Sequence, residues 1–108
     1  KAIFEDPSVG CAGCHIPGPF TDGKVYYLET VTEAESQAHA KQAQVGLADP
    51  LSFNTPTLRG LWNSAPYLHN GRARTLREVL DLTAGRMGDT SRLSEADKED
   101  LIEFLEAL

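Results

Sequence analysis

The chain has 108 residues, 41% hydrophobic and 24% charged, with 10 basic against 16 acidic side chains and a formal net charge of −6. That is the sequence of one globular domain spanning 1–108, with enough apolar content for a modest core. No apolar run approaches the roughly 18 residues of a membrane span, no basic segment leads into an apolar signal core, and the negative balance excludes a general nucleic-acid binder. The first residue is Lys1 rather than Met, which suggests a mature or excised piece of a longer product.

In chain order, a short helix carrying Phe4 is expected from Lys1 and should end before Pro7, since proline cannot continue a helix. Residues 16–23 are rich in Pro and Gly and read as loop. The stretch 32–44 favours helix through its Ala, Gln and Glu content, with a weak apolar stripe. Residues 49–72 are again loop-like, inside expected long loops over 16–31 and 45–74. Thr75 with Glu78 three residues on has capping-box spacing, predicting a helix that stops near Thr83, before Gly85 and Gly88. Ser94 and Asp97 repeat that spacing with Leu93 as a staple, and Leu101, Phe104, Leu105 and Leu108 form the apolar stripe of a helix from about residue 95 to the end. No segment alternates convincingly enough for a strand, so the expected class is all-α with long loops. Loops of that length are unusual in a compact domain unless they pack on something, and a large apolar cofactor would complete a core that so short a chain builds with difficulty.

The run Cys11-Ala12-Gly13-Cys14-His15 supplies that cofactor. Cys-x-x-Cys-His is the spacing that attaches a c-type haem. On one helical turn the two sulfurs project to the same side, where they can form thioethers with two vinyl groups of one porphyrin, and the following histidine is placed beneath the iron. A thioredoxin-like pair would want a βαβ context, a disulfide across so short a loop would stabilise little, and a zinc site recruiting His39 or His69 matches no common module. The expectation is one haem c, covalent through Cys11 and Cys14, with His15 on the metal.

The second axial ligand must come from Met87, His39 or His69. Met87 is the chain's lone methionine and lies in Gly85-Arg86-Met87-Gly88, a loop with the backbone freedom to turn a thioether inward; core filling is the competing use of a methionine. His69, in Ala65-Pro66-Tyr67-Leu68-His69-Asn70-Gly71-Arg72, reads either as a surface turn residue or as a neighbour of the haem edge, while His39 reads as an exposed helical residue. Trp62 is either an ordinary core aromatic or a ring buried on the haem with its indole N–H on a propionate. Arg59 suits paired contact with a propionate. Pro17 and Pro19 fix local carbonyls, one of which can accept the His15 Nδ1–H. Four arginines and no acid between residues 57 and 77, against six acids and one lysine over 93–108, suggest a charge dipole.

The runs Asn54-Thr55-Pro56-Thr57-Leu58-Arg59-Gly60, Ala65-Pro66-Tyr67-Leu68-His69-Asn70-Gly71 and Thr75-Leu76 with Glu78-Val79 resemble the C-terminal haem domain of the bacterial dihaem cytochrome c peroxidase family, from Cys11 to the closing Leu101-Ile102-Glu103-Phe104-Leu105 helix. The resemblance implies a class I-like cytochrome c fold and export beyond the cytoplasmic membrane, to the periplasm or a similar compartment. Two departures stand out. Family peroxidases carry two haem domains where this chain has one attachment motif, and their methionine ligand aligns near Thr83, one turn before Met87. The expected function is electron transfer by a His15/Met87 haem, without enzyme activity of the domain itself, to a redox partner protein or an adjoining domain of a larger protein. A peroxidase-type fragment with an open iron and His69 as acid–base residue, or a haem sensor, is the alternative.

Overall fold

The computed structural model describes residues 1–43 and 51–108. The Gln44 end of the expected 32–44 helix and the start of the 45–74 loop lie outside the described residues, as does the His39 side chain.

Among the described residues the fold consists of four α-helices, two short 3-10 turns and one strand pair. Helix α1 (Ala2–Glu5) buries Phe4 and stops at Asp6, whose backbone is extended. The Asp6 carboxylate accepts from the Ser8 amide and hydroxyl, both at 2.8 Å, and its carbonyl accepts from Val9 and Gly10 at 3.0 Å each. This turn delivers the chain through Gly10, at φ 83°, into a 3-10 turn over Cys11–Gly13. Helix α3 (Leu76–Leu82) starts at Thr75, whose hydroxyl accepts from the Glu78 amide. The Glu78 carboxylate does not complete the expected box; it accepts from the Arg74 amide at 2.7 Å instead. Helix α4 (Glu95–Glu106) does carry the full capping box between Ser94 and Asp97, and Leu93 packs against the core behind it.

The core is one cluster of Phe4, Leu58, Leu76, Leu80, Leu101 and Leu105. Phe4 stands 5.2 Å from Phe104 and 5.8 Å from Phe20, centroid to centroid, in tilted and edge-on contacts. Those apolar stripes hold α4 against α3 and α1.

The all-α expectation needs one correction. Strands β1 (Val25–Tyr27) and β2 (Ser52–Asn54) pair antiparallel, Tyr26 opposite Phe53. Three residues are too few for alternation to register in a sequence. Helix α2 (Glu33–Ala43), between them, packs against no other helix or strand among the described residues, as its weak stripe suggests.

Candidate functional site

The haem-attachment motif folds as its spacing requires. Cys11 opens the 3-10 turn, Cys14 closes it with its amide on the Cys11 carbonyl, and the His15 amide bonds the same carbonyl at 3.0 Å. His15 is buried, 7% exposed. Its Nδ1 lies 3.0 Å from the carbonyl of Phe20, the residue after Pro19. A carbonyl can only accept, so Nδ1 carries the hydrogen and Nε2 keeps its lone pair.

The 16–21 loop that presents this carbonyl is clamped by the segment 55–59. Thr57 donates to Pro19 O at 2.6 Å, Thr21 to Thr55 O at 2.6 Å, and Arg59 to Gly18 O through Nε at 2.8 Å and through Nη2. The Arg59 guanidinium also lies 5.9 Å from the Phe20 ring centroid. Arg59 is therefore exposed and spent on the loop that orients His15, a correction to the propionate role expected of it. Trp62 is corrected too. It is 69% exposed and lines neither hollow of the site, because the 3-10 turn Leu61–Asn63 points its neighbour Leu61 inward instead.

Two adjoining hollows of about 160 and 580 Å³ share His15, Tyr67, Leu68, Met87 and Gly88 as walls. The larger falls within the roughly 300–1,000 Å³ usual for cofactor sites. Cys11 lines the smaller and Cys14 the larger, and both hollows are walled by His15 and Met87. All six core residues line the smaller hollow.

Met87 is brought to this cleft by a tight turn. Arg86 and Met87 amides bond Thr83 O at 2.9 and 3.2 Å, Gly85 N bonds Gly88 O at 2.9 Å, and Asp89 N bonds Val9 O at 2.8 Å. Gly88, at φ 138°, lies so close to the attachment turn that a Cβ there would meet Val9 O at 2.8 Å and the Cys11 sulfur at 3.2 Å. Thr83, where the resembled family places its ligand, is buried with its hydroxyl on Val79 O at 2.7 Å. The donor set of two thiols, one oriented imidazole and one thioether around an apolar cleft fits a covalently held haem.

The competing chemistries fare worse. Burial pushes the Cys11 thiol above its ordinary range, whereas a redox-active cysteine needs the opposite shift. Among the described residues no group of three or more His, Cys, Asp or Glu side chains could hold a metal ion.

Sequence reading missed several residues of the larger hollow. Tyr26, on β1, lines it and donates to Asp22 Oδ2 at 2.5 Å. That bond raises the phenol well above its usual range and, with the Lys24 amide, holds Asp22 down to about 2. Arg86 and Phe53 also line it. His69 lies in the same wall, its ring stacked 4.3 Å from that of Phe53 and its Nε2 3.1 Å from Glu35 Oε1 on α2. Arg72 Nε is buried without a hydrogen-bond partner among the described residues.

A cysteine pair and histidine on one turn, facing a cleft walled by the whole apolar core, define a c-type cytochrome domain. A family model described as RoxA-like, cytochrome c-like matches residues 52–87. The chain is 31% identical to the hydrazine synthase subunit gamma of Kuenenia stuttgartiensis, over 100% of this chain and 39% of that protein. It is 38% identical to the cytochrome-c peroxidase IdrP2 of Denitromonas iodatirespirans, over 82% and 24%, and 31% identical to the methylamine utilization protein MauG of Methylorubrum extorquens, over 92% and 31%. A solved chain of K. stuttgartiensis hydrazine synthase superposes with a TM-score of 0.77 at 31% identity, covering 99% of this chain and 44% of that one. The chain is thus a cytochrome c-like domain that binds haem c covalently and is similar to the haem domains of the bacterial cytochrome c peroxidases, as its motifs imply. It spans well under half the length of these relatives. The expectation of a protein without enzyme activity is overturned by the names of the relatives, since hydrazine synthase and the peroxidases are enzymes and the family is catalytic. Among the described residues no helix is long and apolar enough to cross a membrane.

Proposed function

We propose that this chain is the electron-transfer haem domain of a peroxidase-like haem enzyme, with a class I-like cytochrome fold, His15 and Met87 as axial ligands, and a location outside the cytoplasmic membrane. The observation that carries the reading is the convergence of His15 and Met87 on one apolar cleft, with His15 oriented by a carbonyl. The bound haem would supply one-electron iron chemistry.

The chain's own residues do the rest. Cys11 and Cys14 anchor the group. The Phe20 carbonyl holds the imidazole in one orientation through Nδ1–H, which would leave Nε2 for the iron. The Gly85–Gly88 turn presents the Met87 thioether, a weak donor that favours a relatively high potential. Phe4, Leu58, Leu76, Leu80, Leu101 and Leu105 keep water from the cleft. The redox partner is then the adjoining part of a longer chain or a separate protein, and a His69-served open site is the reading against which this one is tested.

Replacing Met87 with Ala should abolish the long-wavelength sulfur-to-iron band of the oxidised haem protein, lower its potential and let its reduced form bind carbon monoxide. Met87→His should keep six-coordination at a lower potential, and changes at His39 or His69 should leave the band in place. An unchanged spectrum in Met87→Ala, with an open and peroxide-reactive iron in His69→Ala, would overturn the assignment.

A further inference from the structure

We propose that His69 takes up a proton from solvent when the domain accepts an electron, so that reduction of this domain is coupled to protonation at one imidazole. The proposal rests on the haem-domain reading above and concerns a residue that reading leaves without a role.

The geometry starts from Glu35. Its carboxylate accepts from the Thr32 amide at 2.7 Å, the Thr32 hydroxyl at 2.9 Å, and the Asn70 amide group at 3.1 and 3.2 Å. Those donors, the Thr32 amide first, hold it down to about 2. An ionised carboxylate can only accept, so His69 Nε2, 3.1 Å away, carries the hydrogen. Nδ1 is thereby the vacant nitrogen of the neutral ring. The His69 side chain is 23% exposed, enough for a proton to arrive from solvent, and the same ring lines the cleft. A protonated ring is well housed there, with an anion 3.1 Å from one nitrogen and the face of Phe53 stacked at 4.3 Å.

The other charged or titratable groups facing this part of the cleft hold their state near neutrality. Arg86 in the cleft wall and Arg72 on the His69 loop stay cationic. Glu35 on α2 and Asp22 beside β1 stay ionised, and Tyr26, donating to Asp22, stays protonated. His15 has Nδ1 committed to the Phe20 carbonyl, and in the haem-loaded protein its Nε2 would be held by the iron. Tyr67, in the same wall, donates its hydroxyl to Leu61 O at 2.8 Å, and Cys14 would be held as a thioether, so His69 is the remaining titratable side chain of this wall among the described residues.

The balance is simple. One electron enters from a one-electron donor, one proton enters at His69 Nδ1 from water, and the net charge of the domain is unchanged. Because an added negative charge in a poorly solvated cleft attracts the imidazolium, and because such coupling is reciprocal, protonated His69 equally favours the electron.

The test is a spectroelectrochemical titration of the haem-loaded protein at a series of pH values, recording midpoint and visible spectrum together. The midpoint should fall as pH rises over part of the series and level off on either side. His69→Gln should flatten that dependence with its spectrum unaltered. Glu35→Gln, which keeps the hydrogen-bonding shape and removes the anion, should move the sloping region to lower pH. His39→Gln should behave as the parent. A flat midpoint in the parent, a slope that persists in His69→Gln, or one that vanishes in His39→Gln would each overturn the proposal. Failure of the His15/Met87 reading is seen separately, as a parent spectrum that is high-spin or carbon monoxide-reactive, and the pH series still decides the role of His69.

Discussion

Gly88 shows how closely the methionine loop and the attachment turn are fitted. Its φ of 138° is unavailable to most L-residues, and an added Cβ would press on Val9 O and on the Cys11 sulfur, the first of which is backbone and cannot swing aside. Gly85, at φ 76°, has open space around its Cβ position. Gly88→Ala should therefore cost roughly 2–4 kcal/mol in denaturant unfolding of the haem protein and disturb the Met87 band. Gly85→Ala should cost only about 1–2 kcal/mol, and equal costs would refute the crowding argument. At this scale the sequence was legible where chemistry is local. Cys11, Cys14 and His15 announce themselves by spacing, and the glycines around Met87 mark a tight loop. Trp62 and Arg59 were not legible. Whether an aromatic ring is buried, or a guanidinium meets a carbonyl 41 residues away, depends on which segments the fold brings together.

The elements divide the same way. Both capping signals sit at real helix starts, because a cap is satisfied within three residues of itself. Ser94→Ala should destabilise the haem protein by about 1 kcal/mol, read by denaturant midpoint, with no change in its visible spectrum; a spectral change would mean that α4 transmits strain to the cleft. Strands β1 and β2 and the position of α2 were not legible, since their partners lie far off in sequence. Glu35 ties α2 to the His69–Asn70 loop, and its folded-state value of about 2 lies below the ordinary 4.5. A depressed carboxylate contributes stability that is fully present above its unfolded value and is lost as pH falls through its folded one. The tie should thus persist at pH 4.5 and fade only toward about 2. A carboxyl NMR titration of Glu35 with a midpoint near 4.5 would show the bonds absent in solution.

Across the whole molecule, the expected separation of basic loop and acidic helix does not hold. Arg77 pairs with Glu95 and Glu99 of α4, the latter at 2.7 Å, and with Asp81 at 3.6 Å, while Arg74 pairs with Glu78. These arginines are neutralised by carboxylates of the chain itself, and what remains for a partner is the net charge of −6. Electron exchange with a cationic reagent should slow as salt rises, and with an anionic one quicken. Indifference to salt with both reagents would remove electrostatic steering from the description.

The largest consequence of the architecture concerns folding. All six core residues are also walls of the smaller hollow, and of these six only Phe4 and Leu101 have fully buried side chains. The apolar surface that should hold the helices together therefore faces a cleft, and whatever fills that cleft completes the core. Burial is worth roughly 25 cal/mol per Å² of apolar surface, and a group that binds only the folded chain adds its binding energy to stability. Leu61, Tyr67 and Leu68, from the long loop region, reach the same cleft, so its filling also bears on how those loops are held. The chain lacking its covalent haem, made by Cys11→Ser with Cys14→Ser, should lose most of its helical circular dichroism and any sharp thermal transition. Restoring one cysteine should recover part of both in proportion to the haem retained. A cooperatively melting, helical double variant free of haem would show instead that the six core residues close on one another without a cofactor between them.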